Sequence, residues 1–470
     1  MANIGNLGNF LANSRNSFLI FALLCILFII TEFRGLSHID PGDEHVYFYM
    51  GKLLAYGYIP YKDFFLAHPP LLVLFPAIFY KIFGFNLLIF KSIELLAIIL
   101  SALFIYLIAK QRFSAIVALT SVFLFFSSKL ILFESTYYLG MGLTTLFFLI
   151  GIYYALNKSS YFIAGLFMAL AALTRLNSLI LIIVFAIILF VQDKKNSYNF
   201  IVAFLSLFIA TNLLFIILAG FSFIQLVYLF HLLKPSIESL NISIFIDFIK
   251  ENFFLSIVFL SFIFANKREI SSFLVLVASY ITFLLMSSRI FNFYLVLIIP
   301  FIAIIAAYSI NSILEKYGRD KRDNLVKYSI LAVLSLLFVA NAYISLNKLY
   351  NFDFIDFQAF NDIKEHINVN SNENDLLFGD ATTISLIALA TDRDIALNMP
   401  DTNIQIFQSG IIDIKELINN LKSSNVKFIL IRPLSGIGSL DGFQAYLEKD
   451  CKLAKWFKDP LQGDFLLYEC

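Results

Sequence analysis

Long apolar runs, separated by short polar and basic segments, fill the first 346 of the 470 residues. The first run covers Ser17 to Ile30, with Phe10-Leu11 before it and Phe33 after it. A helix that crosses a bilayer needs about 20 mainly apolar residues. The pattern therefore predicts an α-helical polytopic membrane protein with about 11 transmembrane helices. The ten further runs lie at 87–109, 113–133, 136–156, 160–174, 177–192, 199–220, 252–266, 271–287, 290–313 and 328–346.

The first apolar run, which follows Arg15, has two interpretations. A run of this length also suits the core of a signal peptide, which has about 7 to 15 residues. Because no small-x-small cleavage site follows it, and because apolar flanks lengthen it, we expect an anchor helix. The N-terminus then lies in the cytoplasm.

Basic residues set the orientation of the other helices, since cytoplasmic loops carry an excess of lysine and arginine. With the first helix running outward, every basic loop falls on the cytoplasmic side, and the segment after the last run lies outside the membrane. These basic positions are Lys110 and Arg112, Lys158, Lys194 and Lys195, Lys267 and Arg268, and the segment 315–327.

The first outer loop, residues 32–86, is expected to lie along the membrane surface. Its segment Pro70–Phe83 is apolar but too short to cross comfortably, Pro76 interrupts it, and Lys81 lies near its end. An amphipathic interfacial helix fits this segment better than a further span. The tyrosine-rich segment Val46–Tyr58 predicts a second interfacial helix.

The composition changes after residue 346, where charged helices and short apolar strands replace the long runs. This change predicts a transmembrane domain at 1–346 and an extracytoplasmic α/β domain at 347–470. A second outer segment, 221–251, has helical spacing of apolar residues until Pro235. The predicted strands of the α/β domain are Asp375–Gly379, Val426–Arg432 and Phe465–Tyr468, and its predicted helices are Ile411–Leu421 and Leu440–Lys449.

Composition excludes several functional classes. Hydrophobic residues make up 60% of the chain and charged residues 14%, which is typical of a multi-pass protein of the cell membrane. The net charge of +1, with no Lys/Arg-rich tract interleaved with aromatics, argues against binding of nucleic acid. Three cysteines exclude a disulfide scaffold and have no zinc-binding spacing. Cys451 and Cys470 lie in one segment and either form a bridge or stay free.

Ionisable side chains are concentrated in the first outer loop, between apolar helices. A carboxylate at the lipid surface can serve as a general base for an acceptor hydroxyl, or can hold a divalent cation that stabilises a phosphate leaving group. Asp43 could instead be part of a solvated loop, or the N-cap of a helix over Glu44–Tyr56. The ionisable residues are Asp40, Asp43, Glu44, His45, Lys62, Asp63 and His68.

The motifs of this loop resemble those of GT-C membrane glycosyltransferases. Within that class, they are most similar to the motifs of the protein mannosyltransferases and aminoarabinose transferases, glycosyltransferase families thirty-nine and eighty-three. The resembling features are D-E followed by tyrosine, G-x-x-P-Y-x-D, H-P-P-L and F-G at Phe83-Gly84. The resemblance implies that Asp43 is the base or the metal-organising carboxylate, with Glu44 beside it. It also implies a polyprenyl-phosphate-linked sugar donor and an inverting single displacement.

Other candidate residues lie at predicted outer ends of helices. Glu134 resembles the second acidic site of this fold, although a loop-end charge would look the same. Arg175 and Arg289 carry guanidinium groups that suit a phosphate, and interfacial snorkelling explains them almost as well. Lys91 and Asn292 stand where relatives frequently have arginine and histidine. The residues that we expect to face the donor are Tyr61, Lys62, His68, Arg175 and Arg289.

A metal with carboxylate and water ligands would be magnesium or manganese, bound through Asp43 and Glu44. A zinc site formed by His38, His45 and His68 is the weaker alternative.

We therefore expect a glycosyltransferase that moves a sugar from a polyprenyl-phosphate carrier to a lipid, glycan or protein acceptor on the outer face. The rival interpretation is a transporter or flippase of lipid-linked or small polar substrates. Transporters commonly place ionisable groups near the bilayer midplane, whereas the charges here collect at one predicted face. A non-catalytic assembly protein would keep the fold without depending on Asp43.

Overall fold

The computed structural model describes residues 14–156, 160–233, 242–287, 289–316, 323–433 and 435–470. Phe10 and Leu11, Lys158, Pro235 and residues 317–322 of the basic segment lie outside these residues. Contacts between Cα atoms divide the chain into two compact units. The first, which we call the helical unit, takes its described residues from Met1–Leu36, Lys91–Ile209 and Ile237–Phe354. The second, the loop-and-sheet unit, takes them from Ser37–Phe90, Ala210–Ser236 and Ile355–Cys470.

Helices dominate the chain up to residue 348. They are α1 (Ser14–Ser37), α2 (Asp43–Ala55), α3 (Leu71–Phe83), α4 (Leu87–Arg112), α5 (Ala115–Phe126), α6 (Lys129–Glu134), α7 (Met141–Leu156), α8 (Tyr161–Thr174), α9 (Leu179–Gln192), α10 (Lys194–Ala219), α11 (Phe221–Ile224), α12 (Phe230–Leu233), α13 (Ile242–Glu251), α14 (Phe253–Leu260), α15 (Lys267–Met286), α16 (Ile299–Lys316) and α17 (Asp323–Lys348).

Among the described residues, six helices are long and apolar enough to cross a membrane, namely α1, α4, α10, α15, α16 and α17. The other five predicted spans contain shorter apolar helices, and these are α5, α7, α8, α9 and α14. The prediction of a polytopic helical membrane protein is confirmed.

We had expected one continuous helix over the run 113–133, but the structure contains two helices there. Helix α5 ends at Phe126, and α6 begins at Lys129. The Ser127 hydroxyl donates a hydrogen bond to the carbonyl of Phe123, and the Ser128 hydroxyl donates one to the side chain of Asn252. Serine side chains that bond locally to the backbone compete with helical geometry, which explains the break.

Small residues let helices approach closely in both units. In the helical unit, a side chain on Gly165 of α8 would collide with the carbonyl oxygen of Phe200 on α10. In the loop-and-sheet unit, a Cβ on Gly51 of α2 would lie 2.5 Å from the Cβ of Pro76 on α3. Such contacts replace the hydrophobic driving force that lipid does not supply. Pro76 therefore lies inside α3 and packs against α2, so the expectation that it interrupts this segment was wrong.

Helix α3 presents an apolar face that the described residues leave exposed. Leu74, Ile78 and Ile82 recur every four residues and are between 41% and 65% exposed. With 13 residues, α3 is also too short to span a bilayer. Both observations favour the predicted interfacial helix.

The C-terminal segment forms a mixed sheet with strand order β1-β2-β4-β3. Strands β1 and β2 are parallel, with Gly379 opposite Leu430, and the other two pairings are antiparallel. The strands are β1 (Leu376–Gly379), β2 (Val426–Ile431), β3 (Lys452–Asp459) and β4 (Gly463–Glu469), and the helices are α18 (Phe360–Asn370), α19 (Ala381–Thr391), α20 (Ile404–Gln408), α21 (Ile414–Ser423) and α22 (Asp441–Asp450).

The sheet agrees with the predicted α/β pattern at β1, β2 and β4, and the predicted helices correspond to α21 and α22. Cys451 and Cys470 form a disulfide, so the bridged alternative is the one that the structure contains. The bridge joins the end of α22 to the residue that follows β4. The domain boundary at residues 346 and 347 stays a prediction.

Asp459 closes the hairpin between β3 and β4. Its Oδ1 accepts hydrogen bonds from the N–H groups of Leu461 (3.0 Å) and Gln462 (2.9 Å), and its Oδ2 accepts one from Ala359 (3.1 Å). Burial alone would raise the pKa of this carboxyl, but these backbone N–H groups, with that of Gln358, hold the pKa below its ordinary value.

We expect Asp459→Ala to destabilise this hairpin by about 1–3 kcal/mol, because buried N–H groups lose a charged acceptor. The sole tryptophan, Trp456, lies in β3, so its fluorescence during heating of the full chain reports the change. Because the folded-state pKa is depressed, the difference from wild type should be full above the ordinary aspartate pKa of about 3.9 and shrink as pH falls below it. Asp464→Ala, an exposed position in the same hairpin, is the control. Equal unfolding midpoints for Asp459→Ala and wild type at neutral pH would contradict this role.

Candidate catalytic site

Asp43 and Glu44 occupy the first turn of α2, where the unpaired N–H groups of a helix favour carboxylates. Asp43 is exposed to solvent, whereas Glu44 is buried. Gly42, with an extended backbone, is the N-cap, so the alternative role of Asp43 as the N-cap was wrong. The two neighbouring acids therefore have different environments, and Asp43 is the one that a solvent-borne acceptor can reach.

His45 links this turn to the chain before it. Its Nε2 donates a hydrogen bond to the carbonyl oxygen of Asp40 (2.9 Å) and lies 3.7 Å from Oε1 of Glu44. The ring is completely buried. These contacts fix the start of α2, and with it the position of Asp43.

Tyr61 organises the next part of the first outer loop. Its φ of 69° is unusual for a bulky residue, and such backbone strain is often found near functional sites. The Tyr61 hydroxyl donates a hydrogen bond to the carbonyl of His68 (2.7 Å), and its ring packs against those of Phe215 and Phe223. Burial raises the pKa of Tyr61 well above its ordinary value, so the hydroxyl stays a donor.

Lys62 and His68, the other predicted donor contacts of this loop, lie at the surface of the same segment. Lys62 is exposed, and His68 is partly buried. The His68 ring lies 5.5 Å from that of His231 and 5.8 Å from that of Tyr47. The hydrogen bond of Tyr61 therefore links the two ends of the segment 61–68, and the side chain of Lys62 is exposed to solvent.

Arg175 and Arg289, the predicted phosphate-binding arginines, both belong to the helical unit. Arg175 follows α8, is buried, and donates from Nε to the carbonyl of Leu139 (2.7 Å). Arg289 lies between α15 and the 3₁₀ turn Asn292–Leu297, its guanidinium 5.3 Å from the ring of Phe291. Tyr294 of that turn is within electrostatic range of both arginines.

Glu134 belongs to the same part of the helical unit. It is the last residue of α6 and is buried. Helix α6 contacts the 3₁₀ turn that carries Tyr294, and α7 contacts the same turn. The helix that ends at Glu134 therefore packs against the turn Asn292–Leu297.

Glu94 is a buried carboxyl near these residues that the sequence analysis missed. It is completely buried in α4, and its Oε1 accepts a hydrogen bond from the N–H of Gly142 (2.6 Å) at the start of α7. It also interacts electrostatically with Arg175. Glu94 thus caps the start of α7. A carboxylate inside the run 87–109 was the available signal.

Lys91, one turn before Glu94, is also buried. Its Nζ donates a hydrogen bond to the carbonyl of Gly35 at the end of α1 (3.3 Å). A lysine ammonium supplies this single point contact, where an arginine would present a planar fork.

Among the described residues, the structure places no three His, Cys, Asp or Glu side chains so that they could hold a metal ion. The histidines considered for zinc have separate surroundings. Nδ1 of His38 lies 3.2 Å from Asp356, His45 bonds to Asp40, and His68 lies beside His231. The described side chains therefore do not form a complete ligand set for zinc, and magnesium or manganese would need ligands beyond Asp43 and Glu44.

Comparison with known proteins gives a consistent result for the fold. Residues 67–219 match the family model described as dolichyl-phosphate-mannose-protein mannosyltransferase. No curated protein matches the chain.

Three solved structures illustrate the similarity. ArnT from Cupriavidus metallidurans in the apo state has a TM-score of 0.68 at 12% identity, with 95% of this chain and 97% of that chain covered. The same protein bound to undecaprenyl phosphate has a TM-score of 0.66 at 12% identity, with 97% and 98% covered. The oligosaccharyltransferase AglB from Archaeoglobus fulgidus, in complex with an inhibitory peptide and a dolichol-phosphate, has a TM-score of 0.59 at 12% identity, with 89% and 69% covered.

The structural matches cover 89% to 97% of the chain, and the family model covers residues 67–219. The predicted resemblance is confirmed at the level of the fold: the chain has the GT-C fold that these solved structures share.

Proposed function

We propose that this protein is a membrane glycosyltransferase that transfers a sugar from a polyprenyl-phosphate donor to an acceptor on the outer face of the membrane. The observation that carries the proposal is the exposed Asp43 at the first turn of α2, in a chain with the GT-C fold. Two structures of this fold contain a polyprenyl phosphate, undecaprenyl phosphate in ArnT and dolichol-phosphate in AglB.

The proposed reaction is a single displacement with inversion at the anomeric carbon. The acceptor hydroxyl attacks that carbon while Asp43 accepts its proton, which makes the oxygen more nucleophilic. A new bond forms between the acceptor oxygen and the anomeric carbon. The bond from that carbon to the phosphate oxygen breaks, and polyprenyl phosphate leaves with the electron pair. Glu44, buried beside Asp43, supports the base without meeting solvent.

Arg175 and Arg289 are proposed to bind the donor phosphate. Guanidinium groups match phosphate oxygens in geometry, and their charge stabilises the negative charge that develops on the leaving group. Glu134 assists acceptor binding near the same 3₁₀ turn.

The first outer loop supplies the remaining contacts. Lys62 and His68 lie at its surface and are proposed to contact the donor headgroup. Tyr61 acts as a positioning residue, because its hydroxyl is bonded to the His68 carbonyl. A divalent cation at Asp43 and Glu44 stays a prediction, and none of these steps requires it.

Replacing Asp43 with asparagine should lower kcat by about 100-fold or more, the usual share of a general base, while the KM for the donor changes little. The assay follows transfer from polyprenyl-phosphate-linked hexoses and pentoses by the purified full chain. Asp464→Asn, which removes an exposed carboxylate from the β3–β4 hairpin, should keep wild-type activity. If Asp43→Asn transfers sugar at the wild-type rate, Asp43 is not the base.

Replacing Arg289 with glutamine should raise the KM for the donor about tenfold, since one charge-assisted hydrogen bond is worth roughly 1.5–3 kcal/mol. Arg289→Lys should restore part of the affinity, because lysine keeps the charge without the fork. Arg268→Gln is a matched control, as Arg268 is exposed at the opposite end of α15. An unchanged donor KM in Arg289→Gln would remove this residue from the phosphate site.

A further inference from the structure

A second concave site lies in the loop-and-sheet unit, at the end of α2 opposite to Asp43. It is a pocket of about 420 Å³, within the size range of small-molecule sites. One wall comes from the end of α2 and the turn after it, and the other from the segment 392–398, which follows α19. The lining residues are Leu53, Tyr56, Gly57, Tyr58, Asp394 and Asn398.

Polar contacts from α2 hold the second wall in place. Nζ of Lys52 lies 3.1 Å from Asp394 and 3.3 Å from Asp392, although Lys52 itself is almost completely buried. The hydroxyl of Tyr49 accepts a hydrogen bond from the N–H of Ile395 (2.7 Å). These bonds position the carboxylate of Asp394 while leaving 65% of its side chain exposed at the pocket.

The backbone of the same segment is strained. Asp392, Leu397 and Asn398 have φ values of 53°, 59° and 49°, a region that residues other than glycine seldom adopt. Leucine in particular has no side-chain hydrogen bond to offset the cost, which is about 1–3 kcal/mol per residue. Strain of this kind persists where the surrounding structure over-determines it, often at ligand sites. In the segment 392–398, the strained backbone places the Asn398 side chain at the pocket.

The chemistry of the lining indicates the class of ligand. Tyr56 and Tyr58 are 64% and 41% exposed, and their rings offer flat apolar surfaces with a polar tip. Asp394 accepts hydrogen bonds, and the Asn398 carboxamide both donates and accepts them. A sugar ring has C–H faces for the aromatic rings and hydroxyls for the carboxylate and the amide. A phosphate would be repelled by Asp394, so the donor headgroup does not fit.

We propose that this pocket binds a sugar unit of the acceptor, so that the acceptor is a glycan or a glycolipid. The inference rests on the proposed function. Helix α2 has 13 residues, so its two ends are roughly 18 Å apart at a rise of about 1.5 Å per residue. The sugar in the pocket is therefore remote from the hydroxyl that meets Asp43. The acceptor must extend over several sugar units, or over a sugar and its lipid, and a monosaccharide is too short.

Binding is tested first, with the full chain in nanodiscs and an array of defined oligosaccharides and monosaccharides as the probe. We expect wild type to bind oligosaccharides, and Tyr58→Ala and Asn398→Gly to lower the affinity at least tenfold. Glycine keeps the left-handed backbone at position 398, so this variant removes the amide without adding strain. Trp456→Ala removes an exposed aromatic ring elsewhere in the same unit and should bind as wild type does.

Three results would overturn the pocket proposal. In the first, the wild-type protein binds no sugar of the array. In the second, both pocket variants bind sugars with wild-type affinity. In the third, Trp456→Ala loses as much affinity as the pocket variants, which would indicate that sugars bind to exposed aromatic rings in general.

Donor turnover is measured in parallel, so that the two proposals can fail separately. If the pocket is correct, Tyr58→Ala and Asn398→Gly raise the KM for the acceptor about tenfold and leave the KM for the donor unchanged. Sugar binding without any consumption of polyprenyl-phosphate donor would contradict the proposed function. Transfer with an unaltered acceptor KM in both variants would contradict the pocket alone.

Discussion

Helix α2 is buried along nearly its whole length, and this burial is the constraint on which the organisation of the loop-and-sheet unit depends. Every residue from Glu44 to Leu53 is buried, including the charged Lys52. A buried ammonium is costly unless it is paired, so Lys52 requires the carboxylates of Asp392 and Asp394. The first outer loop is thereby fixed to the segment that follows α19, and a loop that could have been flexible becomes a rigid support.

The two ends of this helix have different chemistry. At its start, the carboxylate of Asp43 meets solvent where the helix dipole favours negative charge. At its end, tyrosine rings and the Asp394 carboxylate surround a pocket. A rigid helix keeps a fixed distance between its ends, and the proposed extended acceptor would contact both of them. Positioning of this kind does not require large conformational changes.

Much of the architecture could be predicted because it follows local pattern. Apolar runs located the helices, and the short length of Pro70–Phe83 distinguished it from a span. Strand β3 was missed because its first five residues are exposed and because lysine recurs at every third position, which differs from the two-residue alternation typical of a half-buried strand. The break after Phe126 was missed because a run of apolar residues hides the effect of two serines. The role of Glu94 could not be predicted, since it depends on the start of α7, about 50 residues away in sequence. That Arg175 and Arg289 both lie within electrostatic range of Tyr294 is equally a property of the tertiary structure.

The central claim is that the protein cleaves a polyprenyl-phosphate sugar, rather than carrying it across the membrane. For the most direct measurement, the purified wild-type chain is incorporated into vesicles that contain polyprenyl-phosphate-linked sugars. An extract of envelope glycans and lipids is added outside the vesicles. Free polyprenyl phosphate is then quantified by mass spectrometry. The account predicts one polyprenyl phosphate for each sugar transferred, formed only when the extract is present. Movement of the intact lipid-linked sugar between leaflets, without any release of polyprenyl phosphate, would contradict it.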